Sequence, residues 1–150
     1  MPSVIRRTRS VLHDAVRRGS ESRLPASLWR RTIYGASMTD VQLVFTTLPT
    51  ADAAVALART LVEERLAACG NILPAVRSIY RWEGTLQDEN EVLLLLKTRS
   101  EQFERLKARI LELHPYEVPE VLAIPVEAGH RGYLDWIAAT TKSPDRNEEF

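Results

Sequence analysis

The chain has 150 residues, 27% of them charged, and a formal net charge of zero. That balance hides an asymmetry: residues 1–37 carry eight arginines against Asp14 and Glu21, a net of +6, which leaves the remainder at −6. An acidic body argues against a nucleic-acid partner, which needs a basic stripe to neutralise phosphates; the single cysteine, Cys69, allows no internal disulfide and points to a reducing, cytoplasmic setting; and no apolar run approaches the ~18 residues of a membrane span.

The length suits one domain with an extension. Residues 1–37 show no core pattern, although Val4, Thr8, Val11, Leu12, Ala15 and Val16 match one face of a short basic helix. In composition the stretch resembles a mitochondrial presequence, being Arg-rich, Ser-containing and poor in acids. A start codon assigned too early is the favoured reading, because Met38-Thr39-Asp40 leads straight into a strand. A disordered tail and a targeting peptide are the alternatives. The domain is expected over residues 38–142, followed by a polar tail, 143–150.

Val41 to Thr47 alternates as a strand, with Val41, Leu43 and Phe45 on one face. Leu48-Pro49-Thr50 turns the chain, and Thr50 or Asp52 can cap the next helix. Val55, Ala58, Leu61, Val62, Leu66 and Cys69 predict that helix to run to about Cys69, with Gly70-Asn71 as its C-cap. A strand begins near Ile72. Pro74 cannot donate a ladder hydrogen bond, so this portion is predicted to be an edge or a bulge.

A hairpin from Ser78 to Thr98 organises the rest. Its first arm puts Ser78, Tyr80 and Trp82 on one face, and Ile79 and Arg81 on the other. Glu83-Gly84 breaks the pattern, and a polar turn is expected through Asp88. The second arm, Glu89 to Lys97, contains Val92-Leu93-Leu94-Leu95-Leu96, which is apolar at every position. Such a strand expects cover on both faces. It would be roughly 30–35 Å long at ~3.4 Å per residue. Ser100 is the expected cap of a second helix, whose Phe103, Leu106, Ile110 and Leu113 keep helical spacing with Lys107 as the polar exception. His114-Pro115 stops it. Val118 to Val126 reads as a last strand marked by Pro119 and Pro125, and Gly129 to Thr141 holds a short terminal helix.

The order β-α-β-β-α-β plus a helix describes an α+β, ferredoxin-like fold. Its helices cover one face of an antiparallel sheet. The other face is also apolar, at Val92, Leu94 and Leu96 or their alternates, and an exposed patch of that kind marks an interface. Leu94, Leu95 and Trp136 are therefore interface candidates, and the protein is expected to be more than a monomer.

Tyr80-Arg81-Trp82-Glu83-Gly84, Lys97-Thr98, His114-Pro115-Tyr116-Glu117-Val118-Pro119-Glu120 and Tyr133-Leu134-Asp135-Trp136 occur in this order, with Leu66-Ala67-Ala68-Cys69 before them. Together they closely resemble the CutA family of divalent-cation tolerance proteins, from Val41 to about Thr141. The resemblance implies a ferredoxin-like protomer in a compact homotrimer, with sheets inward, helices outward and hairpins reaching across. The architecture is similar to that of PII signalling proteins, which bind small ligands in clefts between subunits. The copper ligands described for the family are a cysteine on the first strand and a His-His pair before Pro-Tyr. The matching positions here are Phe45 and Leu113, and only His114 remains. The resemblance thus implies weakened binding of copper or another divalent cation, since one imidazole is a poor site.

His114 is the leading metal candidate because imidazole binds Cu and Zn at neutral pH; the structural alternative is a helix terminator. Glu83 and Glu120 are acids beside aromatics, able to offer oxygen ligands or to sit as solvated carboxylates. Lys97 ends the leucine run, either as a cleft cation for an anionic or zwitterionic ligand or as a snorkelling strand-end lysine. Tyr80, Trp82, Tyr116, Tyr133 and Trp136 suit a ligand cleft, a core or an interface. Cys69, on an expected apolar helix face, reads as inert packing. No nucleophile–base pair, phosphate loop or C-x-x-C supports an enzyme, and the body lacks the basic aromatic strand motif of an RNA-recognition module.

Overall fold

The computed structural model describes residues 39–142; the expectations for residues 1–37 and for the tail fall outside them. The described chain runs β1 (Val41–Leu48), α1 (Ala51–Glu63), β2 (Cys69–Trp82), β3 (Thr85–Arg99), a 3-10 turn (Ser100–Gln102), α2 (Phe103–Leu113), β4 (Leu122–Pro125) and α3 (Arg131–Thr140). The strands form one antiparallel sheet in the order β2-β3-β1-β4. This is the ferredoxin-like α+β arrangement that the element order predicts.

Thr50 supplies the α1 cap, its Oγ1 accepting the Ala53 N–H at 3.2 Å, while Asp52 lies in the first turn. The helix stops at Glu63, short of the expected end at Cys69. Arg65 N–H donates to the Val62 carbonyl and Leu66 N–H to the Leu61 carbonyl, both at 3.0 Å. These two bonds close a Schellman cap around Arg65, whose φ is +57°. The left-handed conformation costs a residue with a Cβ about 1–2 kcal/mol, and the two satisfied carbonyls offset it. Leu66 and Cys69 kept helical spacing by coincidence. Ala68 N–H is already bonded to the Lys97 carbonyl at 2.8 Å, and Cys69 opens β2 opposite Lys97. Gly70 is a strand residue and not a cap. A Cβ there would lie 3.1 Å from Leu94 Cδ1 and 3.2 Å from Ala58 Cβ, so α1 reaches the sheet only because that atom is missing.

Pro74 does mark a bulge. The β2–β3 register shifts between Leu73 and Val76, Ala75 takes φ +64°, and β2 is an edge strand. The hairpin turn is tighter than expected. It is Glu83-Gly84 alone, with φ of +47° and +80°, and Thr85 already pairs with Trp82. Positive φ at both central residues is the type I′ geometry that matches strand twist. Residues 85–88 therefore belong to β3. Their polarity misled because this part of the strand is wet: from Ile79 to Asn90 every residue except Gln87 is exposed. Arg77 and Asp88 clamp it across the strands with two 2.7 Å bonds. With 15 residues, β3 spans about 50 Å at ~3.4 Å per residue.

Ser100 starts the 3-10 turn and makes no side-chain cap to α2, which begins at Phe103. β4 is only four residues, pairing with Gln42 to Phe45, so most of the expected strand from Val118 is irregular.

The helices cover one face. Val92, Leu94 and Leu96 point there, with Val44 and Leu48 of β1, against Leu57 and Leu61 of α1 and Leu106 and Ile110 of α2. Leu94 is 0% exposed. It is therefore core within its own chain and not an interface residue. The alternates Leu93 and Leu95 share the opposite face with Leu43 and Phe45, all half-buried. Leu73, Leu122 and Ile124 pair directly with members of this set and are exposed. Helix α3 covers only one end of that face, where Ile137 meets Val41 and Ala68.

Candidate functional site

His114 ends α2 in an extended conformation, as a residue before proline must. Its ring folds back onto β1. The Tyr116 N–H donates to Nδ1 at 3.0 Å, so Nε2 carries the ring hydrogen and donates to the Thr47 carbonyl at 2.9 Å. Both nitrogens are thereby used, and the ring has no lone pair left for a metal. The side chain is buried, which pushes its pKa below the ordinary histidine value; the Thr47 carbonyl and the Glu91 charge oppose that shift. His114 is the pin that holds the segment after α2 against the sheet.

The pin has a pH signature. The folded pKa lies below the unfolded value of ~6.5. The unfolded chain therefore binds the proton first as the solution is acidified, and the stabilisation from neutral His114, complete above pH ~6.5, is lost as pH falls through the folded pKa. Between pH 7 and pH 5 the melting temperature of the wild type is expected to fall more steeply than that of His114→Gln. Parallel curves in a thermal-melt series would remove His114 from this role.

The pinned segment walls a cavity of about 520 Å³. Tyr80 and Trp82 come from one face of β2, Glu91 from β3, and Tyr116, Glu117 and Glu120 from the segment after α2. Tyr116 Oη donates to Glu91 Oε1 at 2.9 Å, and burial together with this bond pushes the phenol up to about 12. Among the described residues that line the cavity, none is basic.

Of the residues singled out in the sequence, Tyr80, Trp82, Tyr116 and Glu120 meet here. Glu83 does not; it occupies the exposed hairpin turn. Lys97 does not either. It lies six residues along β3 from Glu91, roughly 20 Å at ~3.4 Å per residue, and its Nζ donates to Asn71 Oδ1. Trp136 lies on α3 with its ring 5.4 Å from that of Tyr133. Cys69 is on β2 rather than on a helix, its Sγ 3.4 Å from Tyr133 Oη. Glu91 is the residue that the sequence reading missed. The available signal was a carboxylate adjoining an apolar run on a strand expected to be covered from both sides. Among the described residues no three of His, Cys, Asp and Glu gather to hold a metal ion, so one chain does not fit a resident metal through His114, Glu83 and Glu120.

A four-stranded antiparallel sheet with two helices on one face, a largely uncovered apolar face and a cavity lined by acids and aromatics defines a ferredoxin-like α+β protein. Comparison with known proteins narrows the class. Residues 42–140 match the model of the family described as CutA1 divalent ion tolerance protein. The divalent-cation tolerance protein CutA of Thermus thermophilus is 49% identical over 100 residues, 67% of this chain and 97% of that protein. The chloroplastic protein CutA of Arabidopsis thaliana is 42% identical over 101 residues, 67% of this chain and 56% of the plant protein. The crystal structure of CutA from Xylella fastidiosa superposes with a TM-score of 0.68 at 40% identity, covering 69% of this chain and all of that one. The chain belongs to the CutA1 family of divalent ion tolerance proteins.

Proposed function

We propose that the protein acts in tolerance of divalent cations as a homotrimer joined through the uncovered sheet face. The observation that carries this is the set Leu43, Phe45, Leu93 and Leu95, extended by Leu73, Leu122 and Ile124, which α3 covers at one end only. A contiguous apolar patch of this kind calls for a partner surface, and in a symmetric oligomer the same patch serves every copy. Copper is the cation in view. Its ligands would come from more than one copy, because a single chain gathers no three-donor set among the described residues. We read the protein as a binding protein rather than an enzyme, and the lone Cys69 favours the cytoplasm.

A second reading, a small-ligand sensor similar to PII proteins, is favoured by the cavity beside that face. An anionic ligand paired with Lys97 has no support from the placement of that lysine. Native mass spectrometry of the full chain, with and without Cu(II) and Zn(II), tests the leading reading. A three-chain mass that takes up metal in multiples fixed by the trimer is the expected result. A one-chain mass would overturn the trimer, and a trimer that stays metal-free would overturn the metal role.

A further inference from the structure

We propose that the cavity between β2, β3 and the segment after α2 binds an organic ammonium ion. This rests on the cavity being a small-ligand site. Three aromatic residues, Tyr80, Trp82 and Tyr116, share its wall with three carboxylates, Glu91, Glu117 and Glu120. Tyr80 and Trp82 stand two positions apart on β2, on the same face, and are 42% and 45% exposed. Large aromatic surface left open beside acids is the composition of a cation–π site, in which ring faces and carboxylates both favour positive charge.

Glu91 is the second, independent observation. It is 7% exposed. One oxygen accepts from Tyr116; the other makes no hydrogen bond and no ion pair among the described residues, and it is open to the cavity rather than sealed in the core. The nearby imidazole of His114 is held neutral by its bonds to Thr47 and Tyr116 and so brings no positive charge. Buried carboxylates are ordinarily paired or fully hydrogen-bonded. A donor-bearing or cationic group inside the cavity takes the place of water on the oxygen that the chain itself leaves unpaired. A metal ion is a poorer match. The carboxylates line one cavity without converging into a three-donor set, and an ammonium group with an apolar skirt uses the ring faces that a hydrated metal ion cannot.

The test titrates the full chain by calorimetry with three probes: choline, its neutral isostere 3,3-dimethylbutan-1-ol, and succinate as an anion. Choline is expected to saturate, with the alcohol at least tenfold weaker and succinate silent. Trp82→Leu and Glu91→Gln should each weaken choline at least fivefold, while Asp52→Asn on α1 leaves it unchanged. If Glu91→Gln fails to fold, the half-exposed Trp82 still decides the outcome. Equal binding of choline and the alcohol, or binding of succinate alone, would overturn the ammonium proposal and keep a small-ligand cavity. Silence from all three probes would overturn both. Choline binding that survives both cavity substitutions would overturn the assignment to this site.

Discussion

Leu94→Ala is expected to lower stability by about 2–5 kcal/mol, the usual range for truncating a fully buried leucine. Leu94 is 0% exposed, and it lies under α1 where the backbone of Gly70 comes closest. A Cβ on Gly70 would meet Leu94 Cδ1 at 3.1 Å, so the two elements are already in tight contact. Collapse around the lost side chain is limited, and the cavity term adds to the transfer term. For a body of about 100 residues each kcal/mol moves the melting temperature by about 4–8 °C. A drop of about 10 °C or more in a thermal melt is therefore the expected readout. A change within 2–3 °C would mean that the helices do not seal this face.

Leu95→Asp should do something different, although it is the next residue. Leu95 faces away from the helices, opposite Phe45 and Asn71. A carboxylate there leaves the helix-side packing untouched but puts an unpaired charge at the centre of the face assigned to other copies. An uncompensated charge in an apolar interface costs several kcal/mol, and in a symmetric assembly each contact contains it. For the proposed trimer, the native mass should fall from three chains to one, with the far-ultraviolet circular dichroism spectrum retained. A substituted chain that still assembles as a trimer would show that the open face is not the interface. The pair of substitutions thus separates the two faces of one strand.

The contrast between Leu94 and Leu95 shows where reading residues stops. In β1 the faces are separable on paper, yet the buried helix side carries Gln42 and Thr46 together with Val44 and Leu48, and the more apolar Leu43–Phe45 side is the open one. In β3 both parities are apolar from Val92 to Leu96. Period-two alternation then carries no phase, and nothing local says which set the helices cover. His114 was legible as a helix stop because proline follows it. Its loss as a metal ligand was not, because the atoms that use its two nitrogens belong to Thr47, 67 residues away, and to the backbone of Tyr116.

What the amino-acid order determined by itself is local. The element sequence, the irregularity at Pro74, the break at Glu83-Gly84, the Thr50 cap and the stop at His114-Pro115 all follow from backbone chemistry within a few residues. The family motifs belong to the same level, and they brought Tyr80, Trp82, Tyr116 and Glu120 to notice. The tertiary structure alone decided that Glu91 joins those residues, that Lys97 stays apart with Asn71, and that α1 ends at a left-handed Arg65 so that Cys69 and Gly70 enter the sheet. The physical reason is the same in each case. These placements depend on strand register and on which sheet face the helices seal, and both are set by packing between segments far apart in the chain.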